Sequence, residues 1–153
     1  MRGDIVLFLG LVTVIGGGIV TAVVFLLGGG GGGSGSNVCD NPLAPLGESD
    51  ISELGFHAED AGLARVVQAA SEGDLEAAEA AIFGDVHDFT HDIDQPLREV
   101  DEALARELCG ETIEIEEELA IGQRVSVIAG LATRMRELLQ DAAEALGYAR
   151  PGE

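Results

Sequence analysis

The sequence predicts an all-α protein with a single N-terminal transmembrane helix, a Gly-rich linker and an up-down four-helix bundle. Three observations lead to this fold class. Residues 5–27 form an apolar run without charge, residues 28–36 contain only Gly and Ser, and apolar residues then recur at helical spacing in four stretches. Four amphipathic helices joined by short connections are typical of an up-down bundle.

The run at 5–27 is long enough to cross a membrane, because a helix needs roughly 20 apolar residues to span the hydrocarbon core. A cleaved secretory signal is the alternative, but signal cores span only about 7–15 residues behind a basic segment, and here Asp4 offsets Arg2. The positive-inside tendency places residues 1–4 in the cytoplasm. We therefore expect a single-pass protein of the cell membrane with an extracytoplasmic C-terminal domain.

A stripe of small residues lies on one side of this predicted helix: Gly10, Thr13, Gly17 and Thr21. Small residues allow membrane helices to approach closely, which favours packing against another integral membrane protein or a second copy of the chain. The alternative is that glycines are simply common in such helices.

The net charge of -20 falls entirely on residues 37–153, since Arg2 and Asp4 cancel and residues 5–36 are uncharged. Phosphate backbones repel such a domain, so nucleic-acid binding is excluded as a function. Cations and basic partners are favoured instead.

The two cysteines, Cys39 and Cys109, are predicted to form a disulfide in an oxidising compartment. In the chain-entropy model, closing this loop would stabilise the fold by about 4 kcal/mol. Metal-binding thiolates and free thiols are the alternatives, although no CxxC spacing supports a metal site.

The residues after the membrane segment divide into a linker (28–47), a helical domain (48–148) and a short tail (149–153). Pro42 and Pro45 predict extended coil at 37–47. The periodicity then predicts helices over 56–71, 75–93, 97–122 and 125–146. Gly73 and Asp74 supply the first break, Asp94 and Pro96 the second, and Gly122 the third.

His87, His91 and Asp94 lie on one stripe of the second predicted helix, roughly opposite its apolar face. Two imidazoles four residues apart can share a metal ion, and a carboxylate one turn further on can complete a site for iron, copper or zinc. A proton-responsive role and a solvated polar face are the alternatives. We take these three residues as the candidate metal ligands.

Three other features carry weaker signals. Asp88 precedes His91 by three residues, as in half of a di-iron motif, but a single outward-facing copy argues against a buried di-iron centre. His57 is interpreted as a surface histidine, and the acidic run Glu114, Glu116, Glu117 and Glu118 as a solvated face. The sequence contains no phosphate loop, nucleophile elbow or HExxH motif, so we do not expect an enzyme.

Residues 66–146 resemble the extracytoplasmic helical domain of bacterial high-affinity iron permeases. The resemblance rests on the order of five features: Ala69-Ala70-Ser71-Glu72-Gly73-Asp74, the Ala-rich stretch 76–81, Phe89, Pro96-Leu97-Arg98, and Asp101 before a leucine-spaced helix. That family typically has Glu where this chain has Thr90, His91 and Asp94, and the permease's membrane helices with their Arg-Glu-x-x-Glu motifs are absent. The resemblance implies an accessory role in metal uptake, not transport itself.

The sequence therefore predicts a membrane-anchored extracytoplasmic bundle that binds a transition-metal cation as an uptake or handling accessory. The alternative is a non-catalytic structural or regulatory subunit of a larger membrane protein complex.

Overall fold

The computed structural model describes residues 38–152, so the predicted transmembrane segment and its stripe of Gly10, Thr13, Gly17 and Thr21 lie outside the described residues. A 3-10 turn (Val38–Asp40) precedes five α helices: α1 (Glu53–Glu72), α2 (Leu75–Ala81), α3 (His87–Val100), α4 (Glu102–Glu117) and α5 (Val125–Ala145). Residues 38–152 contain no strand, which confirms the all-α prediction for this part of the chain. None of the helices in this range is long and apolar enough to span a membrane.

The predicted breaks at Gly73 and Asp74 are confirmed. Gly73 ends α1 in the left-handed conformation (φ 78°), which glycine adopts without steric cost. Asp74 then caps α2 by accepting a hydrogen bond from the backbone N–H of Ala77 at 3.0 Å. At the start of α1, Ser52 caps the helix in the same way by accepting from the N–H of Gly55.

The second predicted helix is divided into α2 and α3 by a π-helical turn, Ile82–Val86, in which Gly84 has non-helical backbone angles. The predicted break at Asp94 and Pro96 is wrong, because α3 continues through Pro96 to Val100. A proline inside a helix costs about 3 kcal/mol. Continuing the helix offsets this cost, because it buries Leu97 completely on the same face as Ile93.

The break falls instead at Asp101, whose carboxylate caps α4 by accepting from the N–H of Leu104 at 3.0 Å. Leu97 and Val100 therefore belong to α3, although the spacing had placed them on the third helix. Val100 is 58% exposed and lies outside the core. At its other end, α4 passes into a second π-helical turn, Glu118–Gly122.

The core lies between the helices and draws apolar side chains from all five of them. Phe56 on α1 packs edge-on against Phe89 on α3, with ring centroids 5.0 Å apart. Tyr148 covers Phe56 from beyond α5, and its hydroxyl donates to the carbonyl of Ile51. A polar contact also joins α1 to α5, since Asp60 accepts hydrogen bonds from Arg136 and Gln140.

The segment 38–52, here called the strap, leads into α1 and is irregular after its first turn, as Pro42 and Pro45 predict. The predicted disulfide is confirmed: Cys39 in the strap is bonded to Cys109 in α4, with their Cα atoms 5.8 Å apart. Both cysteines are buried, so the bond fixes the start of the strap to the middle of the bundle.

Candidate metal site

His87 and His91 lie one turn apart on α3, and their ring centroids are 4.6 Å apart. Both imidazoles are half-buried. The Nδ1 atom of His87 lies 2.5 Å from the Oε1 atom of Glu116 on α4. The Nδ1 atom of His91 lies 2.9 Å from the backbone carbonyl of Ala44 in the strap. Two different elements therefore orient the two rings.

These contacts determine which ring nitrogen carries the proton in each histidine. A carbonyl oxygen can only accept a hydrogen bond, so the Nδ1 atom of His91 must be the donor, and an ionised Glu116 imposes the same arrangement on His87. In the neutral imidazoles the lone pair is then on Nε2, which neither of these two contacts occupies. Metal-binding histidines commonly have this arrangement, in which a carboxylate or carbonyl holds the second ring nitrogen.

The third predicted ligand, Asp94, is occupied by other groups. Its side chain is buried, and Oδ2 accepts hydrogen bonds from the Nε atom of Arg98 at 2.7 Å and the N–H of Leu43 at 2.8 Å. Asp94 Oδ1 is also buried and has no hydrogen-bond partner among the described residues. Spacing along α3 places Asp94 on the histidine stripe, but Arg98 one turn away pairs with it.

Accordingly, the structure does not assemble the predicted three-ligand group. Among the described side chains of residues 38–152, no three from His, Cys, Asp and Glu are close enough together to hold a metal ion. What this part of the chain provides is a histidine pair with oriented rings.

Asp92 is an important residue that the sequence analysis missed. Its carboxylate accepts hydrogen bonds from three backbone N–H groups of the strap, those of Leu46 (3.0 Å), Gly47 (3.2 Å) and Ser49 (2.9 Å). Burial alone would raise the pKa of Asp92, but the hydrogen bonds from Ser49, Gly47 and Leu46 outweigh it and lower the pKa below the usual value. An irregular segment such as the strap needs hydrogen-bond acceptors for its backbone N–H groups. That need is the signal in the sequence that points to a nearby carboxylate such as Asp92.

The strap thus covers part of the polar stripe of α3, including His91 and Asp94. The sequence alone allowed this stripe to be either a set of metal ligands or a solvated face. Arg98 adds a further contact by donating to the carbonyl of Cys39 at 2.8 Å. The buried Asp92, Asp94 and Arg98 side chains on α3 hold the strap in place, and the two histidines lie beside it.

The acidic run Glu114, Glu116, Glu117 and Glu118 is only partly a solvated face. Glu114 and Glu117 are exposed, as predicted, but Glu116 holds His87. Glu118 is buried, and the hydrogen bonds that Arg124 donates to both its carboxylate oxygens lower the pKa of Glu118. The interpretation as a solvated face is therefore wrong for Glu116 and Glu118.

In the described part of the chain, the remaining candidates form no hydrogen bond, ion pair or ring contact with the two histidine rings. His57 is exposed on the first turns of α1, as expected for a surface histidine. Asp88 is half-buried and lines an open cavity of about 470 Å³ with residues 47–50 of the strap.

No family model, curated protein or solved structure matches the chain. The resemblance to the helical domain of iron permeases accordingly stays a prediction.

Proposed function

We propose that this protein is a membrane-anchored, extracytoplasmic helical-bundle protein that binds a transition-metal cation through the Nε2 atoms of His87 and His91. One observation carries the proposal: both rings present Nε2 because Glu116 and the Ala44 carbonyl occupy Nδ1. Residues 5–27 would be the anchor, and the helices would form an up-down four-helix bundle in which α2 and α3 together count as one helix.

Capture would begin with the electric field of the domain. The net charge of -20 attracts cations and raises their concentration near the surface. Neutral imidazole suits zinc, copper and iron, whereas the abundant hard cations prefer oxygen ligands. The histidine pair therefore selects transition metals from the cations that the acidic surface attracts.

Two protein ligands leave most of the coordination sphere to water or to a partner's ligands. A metal held this way can be transferred by exchanging those remaining ligands, which fits an accessory that passes metal to an integral membrane protein. Asp94 is not part of this revised site, because its carboxylate is paired with Arg98.

Calorimetric titration of the full-length protein in mild detergent with Zn²⁺, Cu²⁺ and Fe²⁺ tests the proposal. We expect micromolar or tighter binding of at least one ion, lost in His87→Ala/His91→Ala. His57→Ala is the matched control, since it removes an exposed histidine outside the pair and should keep the wild-type affinity. Weak, salt-sensitive binding that is equal in all three proteins would reject the proposal.

A second candidate function is a non-catalytic accessory subunit of a membrane complex. Ile121 is 85% exposed and lines an open groove of about 280 Å³ whose other residues are Val127, Leu131, Gly122 and the charged Glu114, Glu117, Glu118 and Arg124. The three apolar side chains with a charged surround offer a small contact surface to a partner. The test isolates the native complex from each variant. If Ile121→Ser or Gly17→Leu dissociates the complex, and His87→Ala/His91→Ala keeps both the complex and the wild-type metal binding, this candidate replaces the first.

A further inference from the structure

The first part of the strap contacts α3 and has one covalent bond to α4, and its end is held by Tyr148 through the carbonyl of Ile51. Asp92 and Asp94 accept from its backbone N–H groups, Arg98 and His91 donate to its carbonyls, and Cys39 is bonded to Cys109. All of these attachments to α3 lie between His91 and Arg98, so the strap follows two turns of one helix.

Little apolar surface contributes to this docking. Leu46 is 51% exposed, and most strap residues between Asp40 and Glu48 are exposed. Polar contacts of this kind compete with water, and a segment with few buried apolar contacts opens more readily than the core of a fold. The disulfide therefore acts together with Asp92, Asp94 and Arg98 to keep the strap on α3.

His91 depends on the strap for its orientation, whereas His87 does not. The acceptor for Nδ1 of His87 is Glu116, which belongs to α4. The acceptor for Nδ1 of His91 is the Ala44 carbonyl, five residues after Cys39. If the strap leaves α3, His91 loses the hydrogen bond that fixes its tautomer and ring position.

We propose that the Cys39–Cys109 disulfide sets the metal affinity of the histidine pair by holding the strap, and with it the Ala44 carbonyl, against His91. This inference rests on the proposed metal-binding function. With the disulfide closed, the pair is oriented and binds metal. A dithiol reductant opens it: two electrons and two protons convert the bond into the thiols of Cys39 and Cys109, and the dithiol becomes a disulfide.

Burial of the bond makes the oxidised state persistent. Cys39 and Cys109 are 3% and 1% exposed, so a reductant reaches the sulfur atoms only after the strap opens locally. The redox state of the compartment would therefore determine whether the protein holds or releases metal. A brief exposure to reductant would leave the disulfide, and with it the metal affinity, unchanged.

The test compares the full-length oxidised protein with Cys39→Ser/Cys109→Ser, which cannot bind zinc through thiolates. Hydrogen exchange reports the strap through the amides of Leu43, Leu46 and Ser49, and titration with Zn²⁺ alone reports the pair. In the serine variant we expect these amides to exchange at least about tenfold faster, with α5 amides still protected, and the zinc Kd to rise about tenfold or more. Unchanged strap protection or an unchanged zinc Kd would overturn the inference.

A second variant keeps the test decisive if the serine variant does not fold. Asp92→Ala retains the disulfide but removes the acceptor of three strap N–H groups. We expect a weaker Nδ1–H signal of His91 in imidazole ¹H–¹⁵N spectra and a zinc Kd raised at least about threefold; no change in either would overturn the inference. Absence of zinc binding in the oxidised wild type would instead reject the proposed function itself.

Discussion

Replacing Arg98 with Met should be among the most damaging single changes outside the apolar core. Arg98 and Asp94 form an i,i+4 ion pair on α3 whose side chains are 8% and 2% exposed. Removing the guanidinium leaves a buried carboxylate whose Oδ1 atom has no hydrogen-bond partner among the described residues, and the carbonyl of Cys39 also loses a donor. Breaking a buried pair in this way costs about 3–5 kcal/mol.

Arg106→Met provides a matched control. Arg106 pairs with Glu102 at the same i,i+4 spacing on α4, but these side chains are 47% and 61% exposed. Water screens such a pair, so its loss should cost no more than about 0.5 kcal/mol. The two variants remove the same group from the same kind of helical pair and differ in burial.

Urea denaturation followed by circular dichroism measures the difference. With an m value of about 1.5 kcal/mol/M, a loss of about 3 kcal/mol lowers the midpoint by about 2 M, whereas Arg106→Met should lower it by about 0.3 M or less. Asp94→Asn added to Arg98→Met should recover part of the loss, because it removes the unpaired charge. Equal midpoints for the two single variants would refute the argument that burial sets the strength of the Arg98 pair.

Three further predictions concern the strap and two helical glycines. Cys39→Ser/Cys109→Ser should lower the free energy of unfolding by about 4 kcal/mol, because the bond closes a loop of 70 residues. The pKa of Asp92 is lowered from 3.8 in the folded protein. Its contribution to stability is therefore present above pH 3.8 and is lost as the pH falls through the folded-state pKa. Asp92→Asn removes this contribution, so the free energy of unfolding should depend less on pH in the acid range. Gly55→Ala should be strongly destabilising, because a Cβ atom there would lie 1.7 Å from the backbone carbonyl oxygen of Asp50. Gly130 has open space around it, so Gly130→Ala should stabilise α5 by about 0.8 kcal/mol.

Equilibrium denaturation, repeated between pH 2 and about pH 7 for Asp92→Asn, measures all three. A serine variant as stable as the oxidised wild type would show that the disulfide does not restrict the unfolded chain. Parallel profiles for wild type and Asp92→Asn below about pH 4 would contradict the lowered pKa. If Gly55→Ala and Gly130→Ala had similar stabilities, the close approach at Gly55 would not be a constraint.

Local signals in the sequence were sufficient for most of the secondary structure. The spacing of apolar residues placed α1 and α5 within a few residues of their observed ends, and Gly73 with Asp74 marked the turn between α1 and α2. These features depend on residues within one or two turns of each other, which a single sequence displays directly. The break predicted at Pro96 does not occur, because the burial of Leu97, a tertiary effect, outweighs the local preference of proline.

The candidate site depended on contacts between residues far apart in the chain. The sequence by itself determined that the protein is helical, strongly acidic and able to form one disulfide, and it brought His87 and His91 to one face of a helix. Only the tertiary structure decided that the strap covers α3, that Asp94 is taken by Arg98, and that Ala44 and Glu116 orient the two histidines. The spacing of residues along a helix fixes which side chains share a face, but the packing of other segments decides which polar group each one meets.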